Sequence, residues 1–146
     1  MKKIFAFAFA LVASALVFTS CEKKIDSPLV GGWNTSGTLT IIDASTGPPQ
    51  EYDADFQLTF FDNGQLQNNI YIKGTFNGIY RKGTWSVNGN QVTIRKQVGG
   101  TIQNNNFIND NTFKPTEEVA EWSIENNYLY LNYTDGRKER YYDGSY

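Results

Sequence analysis

Few side chains in this chain of 146 residues can do chemistry, and carboxylates dominate them. Asp53 and Asp55 fall on one face of an alternating run, and Glu117, Glu118, Glu121 and Glu125 cluster further on. Paired carboxylates serve glycoside hydrolysis, and oxygen-rich sets hold Ca²⁺. Neither pattern is completed here. Asp62-Asn63-Gly64 lacks the further ligands of a calcium loop, so solvated outer-face charge is the expected role of these acids. The chain has no histidine. That removes the usual general base near neutral pH, Ser-His triads and histidine-ligated metal. No glycine-rich phosphate loop precedes a helix. The single cysteine, Cys21, excludes an internal disulfide. No catalytic residue, metal site or cofactor is expected, and the chain does not read as an enzyme.

Cys21 has a context of its own. Met1-Lys2-Lys3 is basic, and Ile4 to Phe18 is uncharged and almost wholly apolar. An apolar run of about 15 residues is short for a membrane span and fits a secretory leader. Phe18-Thr19-Ser20-Cys21 follows, and it resembles a bacterial lipobox with Phe where leucine is usual. The resemblance implies a signal peptide at 1–20, lipidation of Cys21, a tether over 21–28 and a domain over 29–146. It implies attachment to the cell envelope at the outer membrane, since more than one acyl chain at about 0.8 kcal/mol per buried CH₂ anchors stably. Without residues 1–20, 126 of the 146 remain, enough for one domain with a core. Lys2 and Lys3 leave with the leader, so 13 basic residues become 11 against 15 acidic ones, net −4. That balance argues against nucleic acid as a partner, which calls for a basic patch.

The elements that must position any site are strands. Gly83-Thr84-Trp85-Ser86-Val87-Asn88-Gly89-Asn90-Gln91-Val92-Thr93-Ile94 sets two alternating runs around Asn-Gly, a strong short-range hairpin signal. Trp122 to Leu131 repeats it without a gap at an offset of 37 residues. Trp85 and Val87 share one face, as do Trp122 and Ile124, with small or polar residues opposite. Phe56, Leu58 and Phe60 alternate inward, then Asp62-Asn63-Gly64 turns the chain. Leu66, Ile70 and Ile72 return on one face. Val92, Ile94 and Val98 alternate against Thr93, Arg95 and Gln97, and Lys96 falls on their apolar face, near a rim. Asp135-Gly136 is a further turn, and Arg137 to Tyr142 a final strand.

Residues 99–115 break the regularity. Asn104-Asn105-Asn106, Asn109 and Asn111 leave only Ile102, Phe107, Ile108 and Phe113 as apolar material. A stretch of this kind is expected as a mobile loop, or as a lid with Phe107 and Ile108 tucked into a cavity mouth. The fold class expected is all-β, about eight antiparallel strands in an up-and-down meander that closes into a small barrel. A two-sheet β-sandwich is the alternative.

Gly31-Gly32-Trp33 resembles the Gly-x-Trp signature that opens lipocalins. With Phe60-Phe61-Asp62-Asn63-Gly64 and Gly83 to Asn90, the chain resembles the lipocalin-like domain lipoproteins common in Bacteroidota over residues 29–146. The resemblance implies a barrel that holds a small hydrophobic ligand, lined by Trp33, Phe56, Phe60, Trp85 and Trp122. It also implies an arginine, Arg137 or Arg140, packed over Trp33. The competing expectation is an accessory envelope protein with a filled core. It would dock a protein partner through surface tyrosines such as Tyr71, Tyr80 and Tyr142, or a glycan through exposed aromatics.

Overall fold

The computed structural model describes residues 23–42, 45 and 47–144. The leader and Cys21 lie outside the described residues. Nine strands follow in order: β1 (Gly31–Ile41), β2 (Gln50–Phe60), β3 (Gln65–Ile72), β4 (Gly78–Asn88), β5 (Gln91–Gln103), β6 (Asn106–Asn109), β7 (Thr116–Glu125), β8 (Tyr128–Tyr133) and β9 (Lys138–Asp143). They pair antiparallel in the order β4-β3-β2-β1-β9-β8-β7-β5-β6, and β4 also pairs β5. That last pairing closes eight strands into a barrel and leaves β6 outside it. Closure removes most sheet edges, which a two-sheet sandwich would keep.

Tight turns make the meander possible. Asn126 and Asn127 join β7 to β8 with φ of 51° and 66°, both in the left-handed region a primed turn requires. Between β4 and β5 the register pairs Asn88 with Gln91, so Gly89-Asn90 forms the turn, one residue later than Asn-Gly would place it. Asn104 and Asn105 make a third such turn, with φ of 48° and 64°. Residues 99–115 are therefore no open loop. The first part extends β5, and β6 folds back beside it.

The two ends of the barrel differ. The β2–β3, β4–β5 and β7–β8 turns gather at one end, which the N-terminal segment covers. Leu29 is fully buried there, Ile25 packs against the core, and the Ile25 amide donates to the Asp62 carbonyl at 2.6 Å. Lys23 to Pro28, expected as a free tether, thus joins the barrel. Trp33, Leu58, Phe60, Leu66, Trp85, Leu129 and Leu131 fill the interior at this closed end. The rings of Phe60 and Trp85 meet edge to face at 5.1 Å. Each such indole contributes up to about 4–6 kcal/mol by burial, at ~25 cal/mol per Å². The indole N–H groups of Trp33 and Trp85 donate to the carbonyls of Leu29 and Phe61, both at 2.9 Å.

One irregularity redirects β5. Lys82 pairs with Val98 but Gly83 pairs with Lys96, so Gln97 is an extra, bulged residue. A Cβ on Gly83 would lie 1.7 Å from the Arg95 carbonyl oxygen, so only glycine permits this approach. Beyond the bulge the faces of β5 swap, while β4 keeps its alternation. Val98, expected inward, is 42% exposed. Tyr80, expected on the surface, is buried against β6, where its ring meets Phe107 at 5.1 Å and its hydroxyl donates to Asn109 Oδ1. Phe107 and Ile108 stay on the outer surface, exposed rather than tucked into a mouth.

Candidate functional site

The opposite end of the barrel is open, and there the interior changes character. A cavity of about 90 Å³ is lined by Phe56, Leu58, Asn68, Ile70, Arg81, Ile94, Lys96, Tyr133, Arg137, Glu139 and Tyr141. A broader mouth joins it, with Arg81, Lys96 and Arg137 again in the wall, together with Phe113, Glu118 and Asp135. Strand alternation delivers these groups. Arg81 lies two positions before Gly83 on the face of Trp85, and its cross-strand partner is Asn68. Glu118 is opposite Ile94 and therefore points inward with it. Glu139 and Tyr141 share the inward face of β9 opposite Leu131 and Leu129.

The acids are all engaged. Glu118 takes Arg137 Nη2 on Oε1 at 2.5 Å, and Lys96 Nζ stands 2.7 Å from its Oε2. Glu118 Oε2 is buried without a well-directed hydrogen bond, so the Lys96 contact is an ion pair of close charges more than a shared proton. Burial alone would raise the Glu118 carboxyl, but the close charge of Lys96 and the hydrogen bond and charge of Arg137 outweigh it and hold it below the usual range. Arg137 is fixed further by Asp135 at 2.8 Å and by the Tyr133 ring, 4.3 Å from its guanidinium carbon. Tyr133 and Tyr141 both donate to Glu139 Oε2 at 2.8 Å. Burial, and then the charge of Glu139, pushes both phenols well above their ordinary value. They are donors here, not bases.

Arg81 is the exception. Three cations and four carboxylates line this end, and the fourth acid, Glu117, is taken by Arg95 at 2.7 Å. One cation is left over: the Arg81 side chain has no hydrogen bond, ion pair or ring partner among the described residues. A guanidinium that faces a cavity with its donors unspent is suited to a bidentate anion. Asn68 stands beside it, one amide hydrogen given to the Gln57 carbonyl at 3.2 Å. Phe113 packs on Gly99, the cross-strand partner of Arg81, and forms the outer wall.

The five aromatic residues expected to line a ligand cavity divide. Trp33, Phe60 and Trp85 sit in the packed closed end. Trp122 is half-buried against that core and donates its indole N–H to the Gly89 carbonyl at 3.1 Å. Phe56 alone of the five lines the cavity. Neither arginine proposed to cover Trp33 does so. Trp33 pairs with Asp143 at the closed end, whereas Arg137 belongs to the open end and Arg140 lies outside, over the Tyr128 ring. Glu118, expected as outer-face charge with Glu117, is inside. The signal for it was present, because Glu118, Ala120 and Trp122 share one strand face, as do Arg81, Gly83 and Trp85. No family model, curated protein or solved structure matches this chain.

Proposed function

We propose that this chain is a lipid-anchored binding protein of the cell envelope whose open barrel end takes a small amphiphile with an anionic head, carboxylate or phosphate. The observation that carries this reading is Arg81, unpartnered in the wall of a cavity whose other charges are spoken for. The cavity is sized for a head group, not for a whole ligand. Phe56, Ile70 and Phe113 offer apolar contact to the remainder. The expected hydrophobic ligand is thereby revised to one that is apolar at one end only, because the apolar interior is already filled by the chain's own tryptophans. An anchor at Cys21 also orients the barrel. Lys24 pairs with Asp62 at 3.3 Å at the closed end, so that end faces the membrane and the mouth faces away.

Calorimetric titration with octanoate, octyl phosphate and octanol tests the reading. The two anions bind and octanol binds far more weakly. Arg81→Met weakens the anions by about 10–100-fold, the worth of a charge-assisted hydrogen bond at about 1.5–3 kcal/mol. Anion binding of equal strength in Arg81→Met, or no anion binding at all, refutes it.

A further inference from the structure

The weakest seam of the barrel lies between β1 and β9. Every residue of β1 from Gly31 to Ile41 pairs with β2, but only Trp33 and Asn34 pair with β9. Among the described residues no strand pairs with the second edge of β1 from Thr35 onward. On the other side β3 accompanies β2 only as far as Ala54. The distal halves of β1 and β2 thus project past the barrel as a two-stranded ribbon. One face of it bears Leu39, Ile41 and Tyr52, half-buried, and the other bears the exposed Thr38, Thr40, Glu51 and Asp53.

Folded sheets normally blunt such an edge with charge, proline, a bulge or brevity. β6 uses brevity, at four residues. The β1 edge uses none of these. Thr35-Ser36-Gly37-Thr38-Leu39-Thr40-Ile41 has no charge and no proline, and its pairing with β2 is unbroken. We infer that this edge is a self-association surface on which a second copy of the chain lays its own β1 antiparallel, giving a continuous sheet β2-β1-β1-β2.

Self-complementarity and charge select a second copy. A two-fold axis at Thr38 sets Thr38 opposite its own copy, Leu39 opposite Gly37, Ser36 opposite Thr40 and Thr35 opposite Ile41. Like charges never meet in that register, threonine pairs across antiparallel strands are favourable, and leucine falls beside a residue with no side chain. The acids Glu51 and Asp53 stand one strand behind the edge, while Lys138 and Arg140 are exposed on β9, across the seam. The incoming copy brings its acids to the side where those cations stand.

Thr38→Cys in the full chain, oxidised mildly in intact membranes, tests the axis. Opposed strands hold Cα atoms about 4.5–5.5 Å apart, within disulfide range. A disulfide-linked band at twice the chain's mass is expected, well above the background of the parent chain and of Ser86→Cys, exposed on β4. Thr38→Lys provides the second arm. Within one copy position 38 faces Asp53, so the lysine suits the fold, but across the axis two lysines oppose. In detergent the parent chain sediments as a dimer and Thr38→Lys as a monomer with an unchanged unfolding temperature. A monomeric parent, a persisting Thr38→Lys dimer, or a position-38 cross-link to a different protein overturns the inference.

Discussion

Replacing Glu118 by glutamine removes the charge that holds the open end together, and it moves stability and binding in opposite directions. In the parent, Glu118 sits between Lys96 and Arg137, with side-chain exposures of 18%, 14% and 47%. The Arg137 half is screened by solvent and has Asp135 in reserve. The Lys96 half counts, because that ammonium is left in a largely enclosed site without its counter-charge. Breaking a fully buried pair costs about 3–5 kcal/mol, and the partial access here reduces that to about 1–2 kcal/mol. For a domain of this size that corresponds to an unfolding midpoint about 4–8 °C lower. The cavity gains one unit of positive charge. At about 7 Å and an effective dielectric of about 20–40, that favours a bound anion by about 1–2 kcal/mol, or roughly 5–30-fold tighter binding. Tryptophan fluorescence follows the melt and calorimetry the octyl phosphate titration. A variant as stable as the parent, or one whose anion affinity is unchanged or weaker, refutes this account of the site. The parent's pH dependence follows the same group. Glu118 is held below its ordinary value, so its stabilisation is present above about pH 4.5 and is lost as pH falls through the folded-state value.

Gly83→Ala forces a Cβ to within 1.7 Å of a backbone oxygen; denaturant titration is expected to show a loss of about 3 kcal/mol or more, through strain at the bulge. The raised phenols of Tyr133 and Tyr141 keep their protons in the folded state while an unfolded chain releases them. Stability measured across an alkaline series therefore falls by about 2.7 kcal/mol per pH unit above about pH 10, and phenylalanine at both positions removes that slope. Cys21→Ala releases the chain from the membrane fraction on ultracentrifugation; retention there sinks the anchor.

Much of the architecture was legible residue by residue. The alternation of Phe56, Leu58 and Phe60 and the two Trp-opened hairpins mark strands with one apolar face, and Asn-rich pairs mark tight turns. Residues 99–115 misled because composition reports turn residues but not the backbone pairing that turned the segment into β5 and β6. The same strand parity that found the tryptophans also places Arg81, Glu118 and Glu139 inside. Of the three, Glu118 alone was expected as outer-face charge; period-2 reading assigns a face and says nothing of depth along it.

The sequence by itself determined an all-β chain, the inward face of each regular strand and the absence of histidine chemistry, because these depend on local alternation and composition. Only the tertiary structure decided which end of the barrel is filled. Trp33, Phe60 and Trp85 are far apart in the chain, and the direction of each strand, with the N-terminal segment folded across, gathers them at one end. The cations Arg81, Lys96 and Arg137, from three different elements, converge at the other. Ion pairing among groups so distant in sequence depends on register across the closed sheet, and that register alone leaves Arg81 without a partner.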